Sequence, residues 1–239
     1  MLDSRARCCA NSLADIRPSC LLAAIAMLAL GLWADIQVEL PGQLAIGAVV
    51  WGLLLWLIAP LPASERRRYL ACVAIATAGE LFLSLGWGLY TYRLGNVPMF
   101  VPPGHALMLM LGLSLARRMP EKAARAILGG AGAYALLAAA TALDTLAVPL
   151  YLVLAVSVLS LPAYTRLFAS SFLLTLTLEL YGTTLGNWCW HREVPWVGLV
   201  TTNPPVIAGD FYCTLHALVI AACANPERNL RRAYGGSRA

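Results

Sequence analysis

Charge is what this chain lacks. Only 12% of its residues are Asp, Glu, Lys or Arg, against about 25% in an average soluble domain, while 60% are hydrophobic and the mean hydropathy is +0.71. That balance excludes an ordinary soluble fold and points to a polytopic membrane protein. The seven cysteines contain no CxxC pair and no zinc spacing, so most are expected to be small packing residues. Cys189 and Cys213 both fall toward the expected outer side, where an oxidising compartment would permit a disulfide. The three histidines, His105, His191 and His216, include no i, i+4 pair, so a common helical metal or haem site is not expected.

Long apolar runs are abundant. Crossing a hydrocarbon core of about 30 Å takes about 20 residues. Eight segments qualify as candidates, at approximately 19–34, 43–60, 69–86, 101–116, 124–142, 146–162, 165–185 and 205–224. The fourth is short, which suits a tilted span or one that begins as a broken helix near Pro102. Arginines precede the first run as in a signal peptide, but Leu32-Trp33-Ala34 is a poor cleavage site, so this run is expected to stay as a span.

Basic residues concentrate in short cytoplasmic loops. With eight spans, 15 of the 17 Lys and Arg residues fall on one side, and only Arg93 and Arg192 fall on the other. The net charge of +5 therefore reflects orientation, with both termini cytoplasmic in a bacterial-type inner membrane, and not nucleic-acid binding. The C-terminal basic tail could also touch anionic lipid.

Those two arginines belong to a repeated pattern. Glu80 precedes Gly88-Leu-Tyr90-Thr-Tyr92-Arg93, and Glu179 precedes Gly186-Asn-Trp188-Cys-Trp190-His191-Arg192, the glycines 98 residues apart; each copy leads to a Pro-Pro pair, Pro102-Pro103 and Pro204-Pro205. The expected fold is thus an all-α, polytopic membrane helical bundle of about eight transmembrane helices. These form two parallel four-helix repeats, 1–120 and 121–239, with both motif loops on the outer face.

A carboxylate inside an apolar span costs at least about 2.5 kcal/mol on insertion scales, so Glu80 and Glu179 should face an interior or a wet cavity. Glu80 shares a helical face with Thr77 and Ser84, and Glu179 with Thr175 and Thr183. Structurally, each Glu would tie two helices together by hydrogen bonds. Functionally, each would donate a proton to a buried substrate. Asp210 would cap a helix or join His105 as a second acid/base or water-positioning group. Tyr90, Tyr92, Trp188 and Trp190 would anchor an interface, or, alternating in an extended segment, put their rings on one side of an apolar cavity and stabilise a cation. Arg93 and Arg192 would order the loops, and with Asn203 they complete the candidate substrate-binding set.

The segment Glu80, Gly88-Leu-Tyr90-Thr-Tyr92, Val97-Pro98 and Pro102 resembles the membrane-integral carotenoid hydratases of the bisanhydrobacterioruberin type. The tandem arrangement with Trp188-Cys-Trp190 is similar to the duplicated lycopene cyclase domain; the likeness covers mainly residues 80–110 and 179–212. Lycopene cyclase domains carry paired glutamates after a proline where this chain has Pro103-Gly104-His105 and Pro205 through Asp210. Small integral-membrane terpene cyclases, which also use separated carboxylates, are a weaker likeness. The resemblance implies acid-initiated hydration or cyclisation of an isoprenoid double bond through a carbocation, with no cofactor. The partners it implies are an apolar isoprenoid lipid and the membrane. The competing expectation is a lipid or solute carrier, or an accessory subunit with a protein partner or a second copy. Intramembrane polarity gathered toward the outer half favours a one-sided pocket.

Overall fold

The computed structural model describes residues 17–224. Within them the chain folds into eight α-helices and one short two-stranded sheet. The helices are α1 (Pro18–Asp35), α2 (Leu40–Ile58), α3 (Ala63–Glu80), α4 (Val101–Arg118), α5 (Glu121–Ala140), α6 (Ala147–Ser160), α7 (Thr165–Leu185) and α8 (Gly209–Cys223). The strands are β1 (Tyr90–Tyr92) and β2 (Trp188–Trp190). Each expected span contains one helix. Proline sits in the first turn of α1, α2 and α4, where the missing N–H has no helical partner to lose.

Five helices are long and apolar enough to cross a membrane alone: α1, α2, α3 with its continuation to Gly86, α5, and α8 with the 3₁₀ turn before it. α6 and α7 pass that test only together, across a bend of 105°. The difference from eight spans has a local cause in α4. Pro102, Pro103, Gly104 and His105 at its start and Arg117 and Arg118 at its end dilute its apolar character, and every residue from 102 to 112 is buried, so its surroundings are other helices. It is a regular helix from Val101 on, not a broken one.

α3, α4, α7 and α8 form the centre, with α3 and α7 each packed against both α4 and α8. Two hairpins flank this centre, α1 on α2 and α5 on α6. The outward faces carry large apolar side chains such as Leu22, Trp56, Leu136 and Leu159, a surface suited to hydrocarbon. Polar groups turn inward instead: Glu80, His105, Thr175, Glu179, Asp210 and His216 are all buried.

Candidate functional site

Glu80 ends the α-helical part of α3, and the chain continues as a π-helical turn, Leu81–Gly86. Glu179 lies on α7, which stays α-helical to Leu185 and stops at Gly186 in the left-handed conformation, φ 87°. The wider turn in α3 absorbs one residue. Tyr90 and Tyr92 lie 10 and 12 residues after Glu80, whereas Trp188 and Trp190 lie 9 and 11 after Glu179. The π turn therefore restores the register between two motifs of unequal spacing.

β1 and β2 pair antiparallel, Tyr90 opposite Trp190, Thr91 opposite Cys189 and Tyr92 opposite Trp188. The alternation puts all four rings on the buried side and Thr91 and Cys189 on the exposed side. The rings pack across the strands, Tyr90 tilted against Trp190 at 4.6 Å and Tyr92 edge-on to Trp188 at 6.0 Å between centroids. Below them lies a cavity of about 470 Å³ lined mainly by apolar side chains, together with Glu80, Glu179, His105, Asp210 and Tyr212.

Each carboxyl is held by the aromatic pair of its own motif. Tyr90 and Tyr92 donate their hydroxyls to Glu80 Oε2, at 2.8 and 2.7 Å. Trp188 and Trp190 donate their indole N–H groups to Glu179 Oε2, at 2.8 and 2.9 Å. Trp188 reaches this position because residue 182 is glycine; a Cβ there would stand 2.0 Å from its ring. The second oxygens differ. Glu80 Oε1 meets His105 Nε2 at 3.2 Å. His105 Nδ1 lies 3.0 Å from the Val101 carbonyl, which can only accept, so Nδ1 carries a hydrogen. The contact between His105 Nε2 and Glu80 then holds one shared proton, on the imidazole or on the carboxyl. Glu179 Oε1 receives no hydrogen bond from the described residues.

Asp210, in the first turn of α8, takes one long hydrogen bond from Thr214, 3.4 Å, and lines the same cavity. Tyr212 escaped the sequence reading, although it stands four residues before His216. Its ring stacks on His105 at 4.5 Å and 8°. His216 lies outside the cavity lining and is hydrogen-bonded through Nδ1 to Ser171, 2.9 Å.

Thr77 and Thr183, expected to share a face with the carboxyls, bond instead to carbonyls of their own helices, Val73 and Glu179. Arg93, Arg192 and Asn203 do not line the cavity. Arg93 clamps the α1–α2 turn, donating to the carbonyls of Asp35 and Val38 beside the buried Asp35 carboxylate. Asn187 and Gln43, also missed from sequence, bond the same carboxylate at 2.9 and 2.8 Å. Arg192 ties the corresponding α5–α6 turn to the segment after β2, donating to the carbonyls of Leu143 and Thr201. Asn203 accepts the backbone N–H of Trp190 at 3.0 Å and so orders β2 from outside. Cys189 is exposed on β2 and Cys213 buried on α8, and both are free thiols.

No protein family, curated protein or solved structure matches the chain.

Proposed function

We propose that this protein is an integral-membrane enzyme that modifies an isoprenoid, adding water to a carbon-carbon double bond or cyclising across it through a carbocation. One observation carries this reading: two buried carboxyls line one apolar cavity, each fixed at one oxygen by two aromatic donors. An acid whose orientation is fixed before substrate arrives needs no reorganisation at the moment of proton transfer.

Glu179 is the proton donor in this reading, because its Oε1 is open while its Oε2 is tied down by the indoles. Protonation of an alkene carbon forms a C–H bond and leaves a tertiary cation and a Glu179 carboxylate. The faces of Tyr90, Trp190 and Tyr212 stabilise that cation. Glu80 and His105, sharing one proton, take a proton either from the attacking water or from the carbon next to the cation. Asp210 positions the water. A proton returned to Glu179 completes either outcome, so the net reaction is hydration or isomerisation.

The same proposal includes two parallel repeats of four spans, related by an axis through the strand pair, with the motif loops outside and both termini in the cytoplasm. The mutual pairing of β1 and β2, and the matching clamps of Arg93 and Arg192, support it. Placing these two arginines on opposite sides of the membrane in a cysteine-accessibility map would overturn this topology.

The deciding experiment is mass spectrometry of organic extracts from cells with and without the gene, and from the purified protein. An isoprenoid gaining about 18 mass units, the mass of the added water, indicates hydration, and one rearranged at constant mass indicates cyclisation. An unchanged lipid profile with a stably copurifying protein would replace this reading with an accessory subunit.

A further inference from the structure

We propose that the substrate enters sideways from the lipid, through a mouth between α3 and α6 floored by α8, and that it is a long-chain polyprenyl lipid whose tail stays in the bilayer while one end reaches the carboxyls. This inference rests on the enzymatic reading above and adds the route and the substrate class.

Exposure locates the mouth. Of the described residues lining the cavity, only Phe82, Pro149, Val153 and Leu218 are exposed, and they belong to the π turn after α3, to α6 and to α8. α8 packs against both α3 and α6, which do not pack closely on each other, so a groove runs over α8 between them. Thr214 and Leu218 follow Asp210 at four and eight residues along α8 and line this groove on one helical face. Gly79 lines it from α3, and a Cβ there would meet nothing within 4 Å.

The other side of the cavity is closed. There α1 lays Met27, Leu28, Gly31 and Leu32 into the wall, packing on α4 and α7, and no lining residue from α1, α2, α4 or α7 is exposed. α5, the hairpin partner of α6, packs on α7 and contributes nothing to the lining. One hairpin seals a groove and the other leaves its groove open.

The occupant follows from the lining. Ile75, Gly79, Phe82, Pro149, Val153 and Leu218 offer the mouth no charge and no side-chain hydrogen-bonding group, and the Thr214 hydroxyl further in is donated to Asp210, so a hydrocarbon passes and a polar head group finds no partner at the entrance. A cavity of 470 Å³ lies in the range, about 300–1,000 Å³, that encloses a drug-sized ligand. A longer polyene leaves its remainder in the mouth, and that remainder continues into lipid without being desolvated.

The test uses the full chain in lipid nanodiscs with a squalene-length hydrocarbon polyene carrying a diazirine on a central isoprene unit, followed by peptide mapping of the adducts. Adducts should fall within residues 75–86 and 149–153 and be displaced by excess of a long polyene. Gly79→Trp should lower them about tenfold, a loss equivalent to one decade of affinity, and Val153→Trp, a second plug from the opposite wall, should do the same. Gly130→Trp, on an exposed position of α5 where a Cβ also meets nothing, should leave them unchanged. Adducts on α1 and α2, or full labelling in both plugged variants with unchanged melting, would overturn the route. Labelling at the mouth combined with an unchanged lipid profile in cells would leave the route standing and remove the enzymatic reading.

Discussion

Glu80 and Glu179 occupy matching places under one strand pair, yet their surroundings assign them different work. Glu80 ties α3 to α4 through His105, as expected of a buried carboxyl that joins helices. Among the described residues Glu179 makes no hydrogen bond to another helix through its carboxyl; its partners are the two indoles of β2. His105 stacks on Tyr212, so the place where α4 supplies an imidazole is met from α8 by a phenol ring. Two similar motifs supply two acids, and the residue met on the facing helix decides which carboxyl oxygen remains open.

The largest expected effect tests that contrast. Glu179→Gln keeps an acceptor for both indoles but removes the acidic proton, and should lower turnover by about 10²–10⁴, the usual weight of a general acid. Glu80→Gln should cost less, because His105 can still act on a proton nearby. Product formation in membranes, scaled to folded protein, decides; a larger loss from Glu80→Gln would reverse the assignment.

The two arginine clamps offer the next comparison. Arg93→Ala removes the cationic neighbour of a buried carboxylate and should cost about 3 kcal/mol of stability. Arg192→Ala removes hydrogen bonds to two carbonyls and should cost about 1–2 kcal/mol. Melting temperatures in one detergent would rank them, and equal losses would show that Asp35 is held by Asn187 and Gln43 alone.

A third comparison sets the π turn against Gly182. Deleting Leu85 should convert the π turn to α-helix while Tyr90 and Tyr92 still reach Glu80, leaving melting within about 1 kcal/mol of the parent. Deleting Cys72, in the regular part of α3, should prevent folding, because it rotates the following face by about 100°. Gly182→Ala should displace Trp188 and cost about 1–3 kcal/mol, visible as altered tryptophan fluorescence.

The smallest effect concerns Asp144, in the α5–α6 turn, where the described residues place no cation on its carboxylate. Burial raises its carboxyl above the ordinary value of 3.8, only partly opposed by hydrogen bonds from the Ala147 N–H and the Thr202 hydroxyl. The folded state therefore holds this proton more tightly than the unfolded chain does. Stability should fall as pH rises from about 4 through the raised value. Asp144→Asn should flatten that slope and melt higher than the parent above the window; parallel profiles would show that Asp144 does not contribute.

Much of the helical order was legible because apolar runs and prolines mark it directly. The alternation of Tyr90 with Tyr92 and of Trp188 with Trp190 likewise foretold one ringed face, since a strand has no other way to place residues two apart. That Arg93 and Arg192 order loops was legible; that they and Asn203 stay out of the cavity lining was not. A polar residue beside an aromatic motif has the same composition whether it turns inward to a ligand or outward to a backbone carbonyl.

A helical chain with too little charge for water, two buried acids and an aromatic pair for each can be read from residue order alone. These are local consequences of hydropathy and two-residue periodicity. Helix packing brings both pairs over one cavity and places the π turn that corrects the unequal spacing. It also set His105 against Glu80 and left Glu179 open, and it placed α1 as a seal where α5 is none. Those outcomes depend on how helices far apart in the chain rotate and pack, and no local pattern carries that information.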